Sequence, residues 1–332
     1  MKRISQREIA EQLGVNVSTV SRALRGLEGV SSELKQKITE LAKQQGYRPN
    51  PFAVSLRYDT TRMIGIIVPD VSFSHYAHIV KRIEAEAREK GYMCIITDSN
   101  DKYENEQNCL DTLVNMHVEG IIMCLSQETT DYSHIQRVRR SHIPIVLFDR
   151  DASIDISSVI INDVESAKQA TNYLLDGGAK CIAFLGGPNK MKQTSDRKHG
   201  YLEALRERRV PIRKDLVKCN YISYNSGLTD TLELLDLPEP PDAILAANGL
   251  LALSAIKAVE SRGRQIPNDV AVVGYMSSWL SDVLTPRVSI IKQNQKEIGF
   301  QAFKLLYDQM NGDTCVHHVI VKARFEVRES TK

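Results

Sequence analysis

Arg22, with Val17 and Ser18 one helical turn earlier, forms the group of side chains with the clearest chemical use in this chain. A guanidinium can donate two hydrogen bonds to O6 and N7 of guanine, a contact worth about 1–3 kcal/mol of discrimination between bases. Residues 17 to 25 fit a helix whose apolar positions face inward, which leaves these three side chains on its outer surface. We therefore interpret Arg22 as a base reader; the alternatives are a phosphate contact and a solvated surface arginine.

The elements that must position these residues are three short helices within residues 1–48. Ser5-Gln6-Arg7-Glu8 has the pattern of a capping box, and Gly14 stands where a left-handed helix end costs least. Asn16 is expected to cap the second helix, and Ser31 the third. Two short helices joined by a tight turn, the second with a polar outer face, can place side chains in the major groove of DNA.

A second candidate DNA element lies within residues 49–61. Asn50 is a good helix cap and Pro51 is favoured at the first helical position, so the segment to Arg57 predicts a helix of about two turns. A helix this short is marginal in water by itself, so we expect it to fold only when it packs against another surface. The alternative is a linker in which Leu56 packs on the rest of the protein.

The charge of the chain is divided unevenly. Residues 1–62 contain 11 lysines and arginines against 6 aspartates and glutamates, whereas the remainder contains 32 against 35. A basic head on a mildly acidic body favours phosphate contacts concentrated at one end of the chain.

The N-terminal motifs resemble those of the LacI family of bacterial transcription regulators, and the resemblance runs to the C-terminus. The matching motifs are Ile9-Ala10, Gly14-Val15, Ser18-Thr19-Val20-Ser21-Arg22 and Tyr47-Arg48-Pro49-Asn50. The resemblance implies that residues 49–61 form a hinge, whose helix pairs with its mate in the minor groove and wedges Leu56 between base steps. The residues expected to contact DNA are Ser5, Val17, Ser18, Thr19, Ser21 and Arg22 in the head, and Asn50, Ala53 and Leu56 in the hinge.

The remaining residues alternate short apolar strands with amphipathic helices, which predicts an α/β body with doubly wound parallel sheets. The family resemblance implies two lobes like those of periplasmic binding proteins, together with an all-α helix-turn-helix head. The N-terminal lobe is expected to comprise residues 62–162 with 292–321, and the C-terminal lobe residues 163–291 with 322–332. An effector would bind in the cleft between them, beyond the carboxyl ends of the strands.

Residues of this cleft are carried over where the family motifs match. Asp149 ends a strand in Phe-Asp-Arg, Arg197 stands in Arg-Lys-His-Gly-Tyr, and Asn248 follows the strand that ends near Ala247. Each has a structural alternative: a cap or a bridge between lobes, a salt bridge, and a helix cap, respectively. The full set of expected effector residues is Phe73, Tyr76, Asp149, Arg197, Asn248 and Met276, and core packing is the alternative for the two aromatic residues.

Three positions depart from the pattern of sugar- and purine-binding relatives. Met276 replaces a common aspartate, Gly249 replaces the aspartate after Asn248, and Ile222 stands where an aromatic ring often stacks on the ligand. Losing these groups argues against an ordinary free sugar. A different small molecule, a phosphorylated ligand held by Arg197 and a protein co-effector remain open. The chain ending Arg328-Glu329-Ser330-Thr331-Lys332 resembles the catabolite control protein branch, in which a phosphocarrier protein is the corepressor.

Other functional classes find little support. The sequence has no glycine-rich phosphate loop, zinc-protease motif or nucleophile elbow, so we expect neither an enzyme nor a bound cofactor. His75 and His78 share a helix face without a third ligand nearby, so no metal is expected. The six cysteines are dispersed and are interpreted as buried thiols in a reducing cytoplasm.

An extracytoplasmic solute-binding receptor is the main alternative, because it would share the same body. It would need a signal peptide, whereas Met1 to Ser5 runs directly into a capped polar helix, and no stretch approaches the length of a membrane span. The sequence therefore predicts a cytoplasmic, homodimeric regulator that represses carbohydrate-related genes. It would bind a palindromic operator in double-stranded DNA, and an effector on the body would control it.

Overall fold

The computed structural model describes residues 4–47 and 60–332, which form a small helical head and a large α/β body divided between residues 61 and 62. The hinge residues Asn50, Ala53 and Leu56 lie outside the described residues. The head and the body are treated separately below.

The head consists of three helices around a small apolar core. These helices are α1 (Gln6–Leu13), α2 (Val17–Leu24) and α3 (Ser32–Gln44). Their inner faces bury Ile9, Ala10, Val20, Ala23, Ile38 and Ala42. The backbone N–H of Glu8 donates to Ser5 Oγ at 3.2 Å and the N–H of Ser5 donates to Glu8 Oε2 at 2.7 Å, which is the expected capping box. Gly14 ends α1 with a φ of 64°.

The expected caps of the next two helices differ in outcome. Ser31 accepts a hydrogen bond from the backbone N–H of Leu34, as predicted. Asn16 is the first flanking residue of α2, but its side chain makes no capping hydrogen bond, so that part of the prediction is wrong. The start of α2 is held instead by the close turn from α1, in which the N–H of Val15 donates to Ala10 O at 3.0 Å.

The body contains two six-stranded sheets. The strands are β1 (Met63–Val68), β2 (Met93–Asp98), β3 (Gly120–Met123), β4 (Ile145–Phe148), β5 (Ser158–Ile161), β6 (Ile182–Gly186), β7 (Val217–Cys219), β8 (Ala243–Ala246), β9 (Ala271–Gly274), β10 (Ser289–Lys292), β11 (His318–Val321) and β12 (Arg324–Glu326). The first sheet has the order β11-β5-β4-β3-β1-β2, and the second has the order β12-β10-β9-β8-β6-β7. We call the first sheet with its helices the N-terminal lobe, and the second with its helices the C-terminal lobe.

The helices of the body connect these strands and cover both faces of each sheet. They are α4 (Ser74–Glu89), α5 (Tyr103–Asn115), α6 (Ser133–Arg140), α7 (Asp163–Asp176), α8 (Lys192–Glu207), α9 (Tyr224–Leu235), α10 (Gly249–Ser261), α11 (Ser278–Asp282) and α12 (Gln295–Met310), with a 3₁₀ turn at Lys214–Leu216. All six residues of β1 are buried, as expected for a central parallel strand covered on both faces. The predicted α/β architecture is confirmed.

The end of the chain adds one antiparallel pair to the predicted parallel sheets. The apolar run from Val316 to Val327 divides into β11, which pairs in parallel with β5, and β12, which pairs antiparallel with β10. Only two residues separate the two strands, so the chain passes from one sheet to the other within a very short span. An antiparallel edge strand on an otherwise parallel sheet is common in α/β proteins.

The cysteines also differ from expectation. All six are free, but only Cys124 is fully buried, Cys315 is exposed and the other four are partly buried. The interpretation of all six as buried thiols is therefore wrong. Within residues 4–47 and 60–332, none of the helices combines the length and the apolar character that a membrane span requires.

Candidate DNA-reading surface and effector cleft

The outer face of α2 carries most of the side chains that the sequence assigned to DNA. Val17, Ser18 and Arg22 are exposed, whereas Thr19 and Ser21 are half-buried beside them. Within residues 4–47, Arg22 forms no ion pair, so its guanidinium is available to another molecule. Ser5 differs from this group, because its hydroxyl already takes part in the capping box with Glu8.

The position of Arg197 in the body depends on a close approach of two helices. Gly200 lies where an added Cβ would come within 2.1 Å of the carbonyl oxygen of Val164, so α7 and α8 pack almost backbone to backbone. Tyr201 fixes α8 on the sheet beneath, since its hydroxyl donates to Ile182 O at 2.9 Å. These contacts give the Arg-x-x-Gly-Tyr pattern a physical meaning, because they place Arg197 beside Asp163 at the start of α7.

Arg197 is buried and most of its guanidinium is already engaged. Its Nε donates to Asp163 Oδ1 at 2.6 Å, its Nη1 donates to Ala247 O, and its guanidinium lies 3.7 Å from the centre of the Tyr275 ring. Burial raises the pKa of Asp163 to about 6, although Arg197 opposes this shift. The salt bridge that the sequence left as an alternative is therefore present, while Arg197 also lines the cleft.

Asp149 stands at the end of β4 with a φ of 63°, a backbone conformation that is costly for a residue with a side chain. It is buried, its carboxylate lies 3.1 Å from Nε2 of His75, and it accepts at 3.3 Å from Nε2 of Gln193. Burial alone would raise the pKa of Asp149, but His75, Arg197 and Arg150 together hold it well below its usual range. The Gln193 contact joins the two lobes, so Asp149 serves as the bridge that the sequence offered as an alternative.

The other expected effector residues also line this cleft. Asn248 Oδ1 accepts from the backbone N–H of Leu250 at 2.8 Å, so Asn248 caps α10 while its amide group borders the cavity. Tyr76 and Met276 are buried, whereas Phe73 is 39% exposed. The cleft thus brings together all six residues of the predicted set: Phe73, Tyr76, Asp149, Arg197, Asn248 and Met276.

Sequence reasoning missed a bridge between the lobes formed by Gln127. The backbone N–H of Ile222 donates to Gln127 Oε1 at 2.6 Å, and Gln127 Nε2 donates to Ile222 O at 3.4 Å. Gln127 is held in turn by Asp101, which accepts from its backbone N–H and its Nε2, both at 2.8 Å. Arg150 donates to Asp101 at 2.5 Å. The clue in the sequence was Arg150 itself, directly after Asp149 in the strand-end motif.

The two histidines that share a face of α4 have separate roles. His75 contacts Asp149, whereas Nδ1 of His78 lies 2.6 Å from the backbone oxygen of Ser74. Asp313, Cys315 and His317 form a different group of potential ligands, whose side-chain atoms all lie within 4.8 Å of one another. His317 Nε2 lies 2.9 Å from Asp313 Oδ2, and this contact links the two ends of the turn before β11.

Comparison with known proteins follows the same division of the chain. Residues 6–50 match the family model described as bacterial regulatory proteins of the lacI family. Residues 61–328 match the model for periplasmic binding proteins and the sugar binding domain of the LacI family. The chain thus combines a helix-turn-helix head with a periplasmic-binding-protein-like body, the organisation of a DNA-binding transcription regulator. It belongs to the LacI family, which confirms the resemblance found in the sequence.

Full-length relatives support this assignment. The chain is 31% identical to catabolite control protein A of Priestia megaterium, over 98% of both chains. It is 28% identical to the HTH-type transcriptional repressor CytR of Escherichia coli strain K12, over 93% of this chain and 90% of that one. The structure of a transcriptional regulator CelR–cellobiose complex matches 99% of this chain and 100% of that one, with 28% identity and a TM-score of 0.76. The proposed catabolite control branch stays a prediction.

Proposed function

We propose that this regulator binds a palindromic operator as a homodimer and represses carbohydrate-related genes under the control of an effector in the cleft. The proposal is carried by two features found in one chain. The first is an exposed face of α2 on which Arg22 forms no ion pair within residues 4–47, and the second is a cleft between two lobes lined by both polar and apolar side chains. The sugar-binding description of the matching body model and the CelR–cellobiose complex support a carbohydrate-related role.

In the head, Val17, Ser18 and Arg22 read base edges, and Thr19 and Ser21 contact the flanking backbone or bases. Ser5 would contact DNA only through atoms that its capping box leaves available. We retain the hinge proposal for residues 49–61, in which Asn50, Ala53 and Leu56 contact the minor groove and Leu56 acts as the wedge.

In the body, we propose that residues 62–162 with 292–321 and residues 163–291 with 322–332 act as the two lobes. Asp149, Arg197 and Asn248 would hold the polar part of the effector, with Phe73, Tyr76 and Met276 as walls. An effector that favours one arrangement of the lobes shifts the equilibrium of the hinge helices, and thereby operator affinity. The protein is proposed to have no catalytic activity and to act in the cytoplasm, where its operator lies.

The homodimer is supported by apolar side chains left exposed on the body. Met93 and Ile96 lie on the edge strand β2 and are 58% and 46% exposed, and Val283, after α11, is 61% exposed. An exposed edge strand can pair with the edge of another chain. Sedimentation at micromolar concentration should give twice 37.3 kDa. A monomer, or a tetramer at all concentrations, would contradict the proposal.

The reading of DNA is tested by selecting binding sites from a random library with the wild type and the Arg22→Ala variant. The variant should lose preference at one base pair in each half-site, with a fall in specific affinity of about 1–3 kcal/mol. Arg7→Ala is the matched control, because Arg7 lies on α1 and pairs with Glu11 at 3.2 Å. It should leave base preference unchanged. Unaltered base preference in the Arg22→Ala variant would refute the assignment.

A further inference from the structure

Three residues that line the cleft each contain a buried polar atom without a hydrogen-bond partner among the residues that the structure describes. The atoms are Nη2 of Arg197, Nε of Arg150 and Oε1 of Gln293, in residues that are 2%, 6% and 7% exposed. A buried polar atom without a hydrogen bond bears the cost of its lost hydration, so a ligand that pairs with these atoms is favoured. Arg197 requires an acceptor and the Gln293 oxygen requires a donor; a hydroxyl group can act as either.

The charged side chains around the cavity already neutralise one another. Asp101 pairs with Arg150 at 2.5 Å, and Asp163 pairs with Arg197 at 2.6 Å. Arg150 and Arg197 are the only arginines or lysines that line the cavity in the described part of the chain. Because both are matched by a carboxylate, and His75 lies against Asp149, an anionic ligand would meet no free counter-charge among these residues. The geometry therefore disfavours the phosphorylated ligand that the sequence left open.

Part of the cavity lining, which we call the apolar wall, consists of side chains without hydrogen-bonding groups. It is formed by the side chains of Met276, Leu280, Ile222, Leu250 and Leu253. Met276 is 6% exposed and packs with the apolar core of the C-terminal lobe. A ligand hydroxyl placed against this wall would lose its hydration without gaining a partner, whereas a methyl or methylene group would be buried favourably.

The size of the cavity limits the ligand further. Its volume is about 120 Å³. Since each water needs roughly 10–15 Å³ measured in the same way, the space corresponds to on the order of ten non-hydrogen atoms. That is the size of one monosaccharide ring with its substituents.

We propose that the effector is an uncharged deoxy sugar of monosaccharide size. Its hydroxyl groups would face Arg197, Gln293 and Asp149, and its deoxygenated carbon would pack on the wall around Met276. This inference rests on the proposed function of the cleft as the effector site, and adds the chemical class of the ligand.

The test is calorimetric titration of the full chain with three matched sets of sugars. The first set contains free 6-deoxyhexoses (L-rhamnose, L-fucose and 6-deoxy-D-glucose), the second their parent hexoses, and the third hexose 6-phosphates. At least one 6-deoxyhexose should bind, and its parent hexose should bind about 10–100-fold more weakly, because the extra hydroxyl meets the apolar wall. The phosphates should not bind. Trp279, the single tryptophan, lies on α11 beside the lining residue Leu280 and gives an independent fluorescence signal.

Two variants probe the two sides of the cavity. Met276→Asp supplies an acceptor to the apolar wall, so it should reverse the preference and favour the parent hexose over the deoxy sugar. Gln293→Leu removes the unpaired oxygen and should weaken binding of the deoxy sugar about tenfold. Gln309→Leu is the matched control, because Gln309 donates to Ser157 Oγ at 2.7 Å outside the cleft. It should leave sugar affinity unchanged.

The possible outcomes separate this inference from the proposed function. Binding by a phosphorylated sugar, equal binding of parent and deoxy sugars, or binding by none of the panel would overturn the ligand class. Operator binding is measured on the same preparations with the wild-type chain. If it persists while no sugar binds, the regulator function stands and only the ligand assignment fails; loss of specific operator binding would count against the proposed function itself.

Discussion

Arg150 and Arg197 are both buried arginines paired with an aspartate, one in each lobe, and both border the cleft. Arg150 donates to Asp101 and, at 2.7 Å, to Leu125 O, so its two Nη atoms bind the protein. Arg197 uses Nε and Nη1 in the same way but keeps Nη2 without a partner among the described residues. Each arginine thus keeps one N–H without a partner among the described residues, Nε in Arg150 and Nη2 in Arg197.

The difference shows how identical chemistry can support two tasks. In the N-terminal lobe, Arg150 positions Asp101, which accepts a hydrogen bond from Gln127. Gln127 in turn bonds across the cleft to the backbone of Ile222. In the C-terminal lobe the pair holds one guanidinium N–H in place beside the cavity. A charged group that is already neutralised can offer a directed hydrogen bond without selecting for an anion, because little net charge remains.

Removing Arg197 should have the largest effect on stability. In Arg197→Met the Asp163 carboxylate would be left buried without its partner, which costs about 3–5 kcal/mol. Arg150→Met should cost less, because the Asp101 side chain is 18% exposed against 5% for Asp163. Urea unfolding at pH 8 measures both free energies. Equal losses in the two variants would remove the distinction between the pairs.

The next largest effect is expected in the pH dependence of stability, where Asp163 and Asp149 should act in opposite directions. Because burial raises the pKa of Asp163 to about 6, the folded protein holds this proton more tightly than the unfolded chain. The resulting stabilisation is fully present below the ordinary aspartate pKa and is lost as the pH rises through about 6. Asp149 has the opposite sign: its lowered pKa stabilises the fold above the ordinary value, and this is lost in more acidic solution.

Between pH 4 and 6 the unfolding free energy of the wild type should therefore fall relative to that of Asp163→Asn, by roughly 1 kcal/mol for each pH unit. Asp176→Asn is the control, since Asp176 forms an exposed pair with Arg208. Parallel curves for the wild type and Asp163→Asn would show that the burial of Asp163 has no such effect.

Gln127→Ala should have a smaller effect that concerns the relation of the lobes. It leaves the Ile222 backbone and Asp101 with fewer hydrogen bonds, which costs about 1–3 kcal/mol. It should also favour separation of the lobes, seen by small-angle X-ray scattering as a larger radius of gyration of the 60–332 fragment. Gln309→Ala loses a hydrogen bond within one lobe and should leave this radius unchanged. An unchanged radius in Gln127→Ala would mean that other contacts hold the lobes together.

The smallest effect is expected for an exposed version of the same pair. Arg262 binds Asp236 through two nitrogens, at 3.0 Å from Nε and 2.5 Å from Nη2, and the two side chains are 42% and 55% exposed. Water screens such a pair, so Arg262→Met should leave the urea midpoint nearly unchanged. A loss comparable to that of Arg150→Met would show that burial is not what separates these three pairs.

The parts of this molecule that the sequence predicted are those determined by nearby residues. The Ser5–Glu8 capping box, the Gly14 turn and the alternation of strands and helices all depend on contacts within a few positions. The hydrogen bond between Gln127 and Ile222 joins residues 95 positions apart, and β12 pairs with β10 across two intervening elements. Neither contact is determined by nearby residues. The starts of α7 and α8, at Asp163 and Lys192, are not evident from the sequence, because their polar first turns obscure the apolar period. Gly200 of α8 packs against the first turn of α7 at Val164.

Family motifs predicted the cleft residues better than local chemistry did. Asp149, Arg197 and Asn248 all line the cavity, yet the contacts of Asp149 with His75 and of Arg197 with Asp163 depend on residues from distant helices. Only the cap that Asn248 forms on α10 is local. Gln293 was not predicted as a cleft residue. Its position directly after the carboxyl end of a strand, where ligands of α/β proteins bind, was the feature of the sequence that could have indicated it.

The passage of the chain between the sheets at residues 322 and 323 has a consequence for biosynthesis. The first sheet receives its edge strand only at His318–Val321, and the second only at Arg324–Glu326. Helix α12, which covers strands of the first sheet, also comes late in the chain. Since a ribosome delivers the N-terminus first, the three helices of the head can fold while both lobes still lack their last strands. The nascent protein thus acquires its DNA-reading surface before the body that is proposed to regulate it.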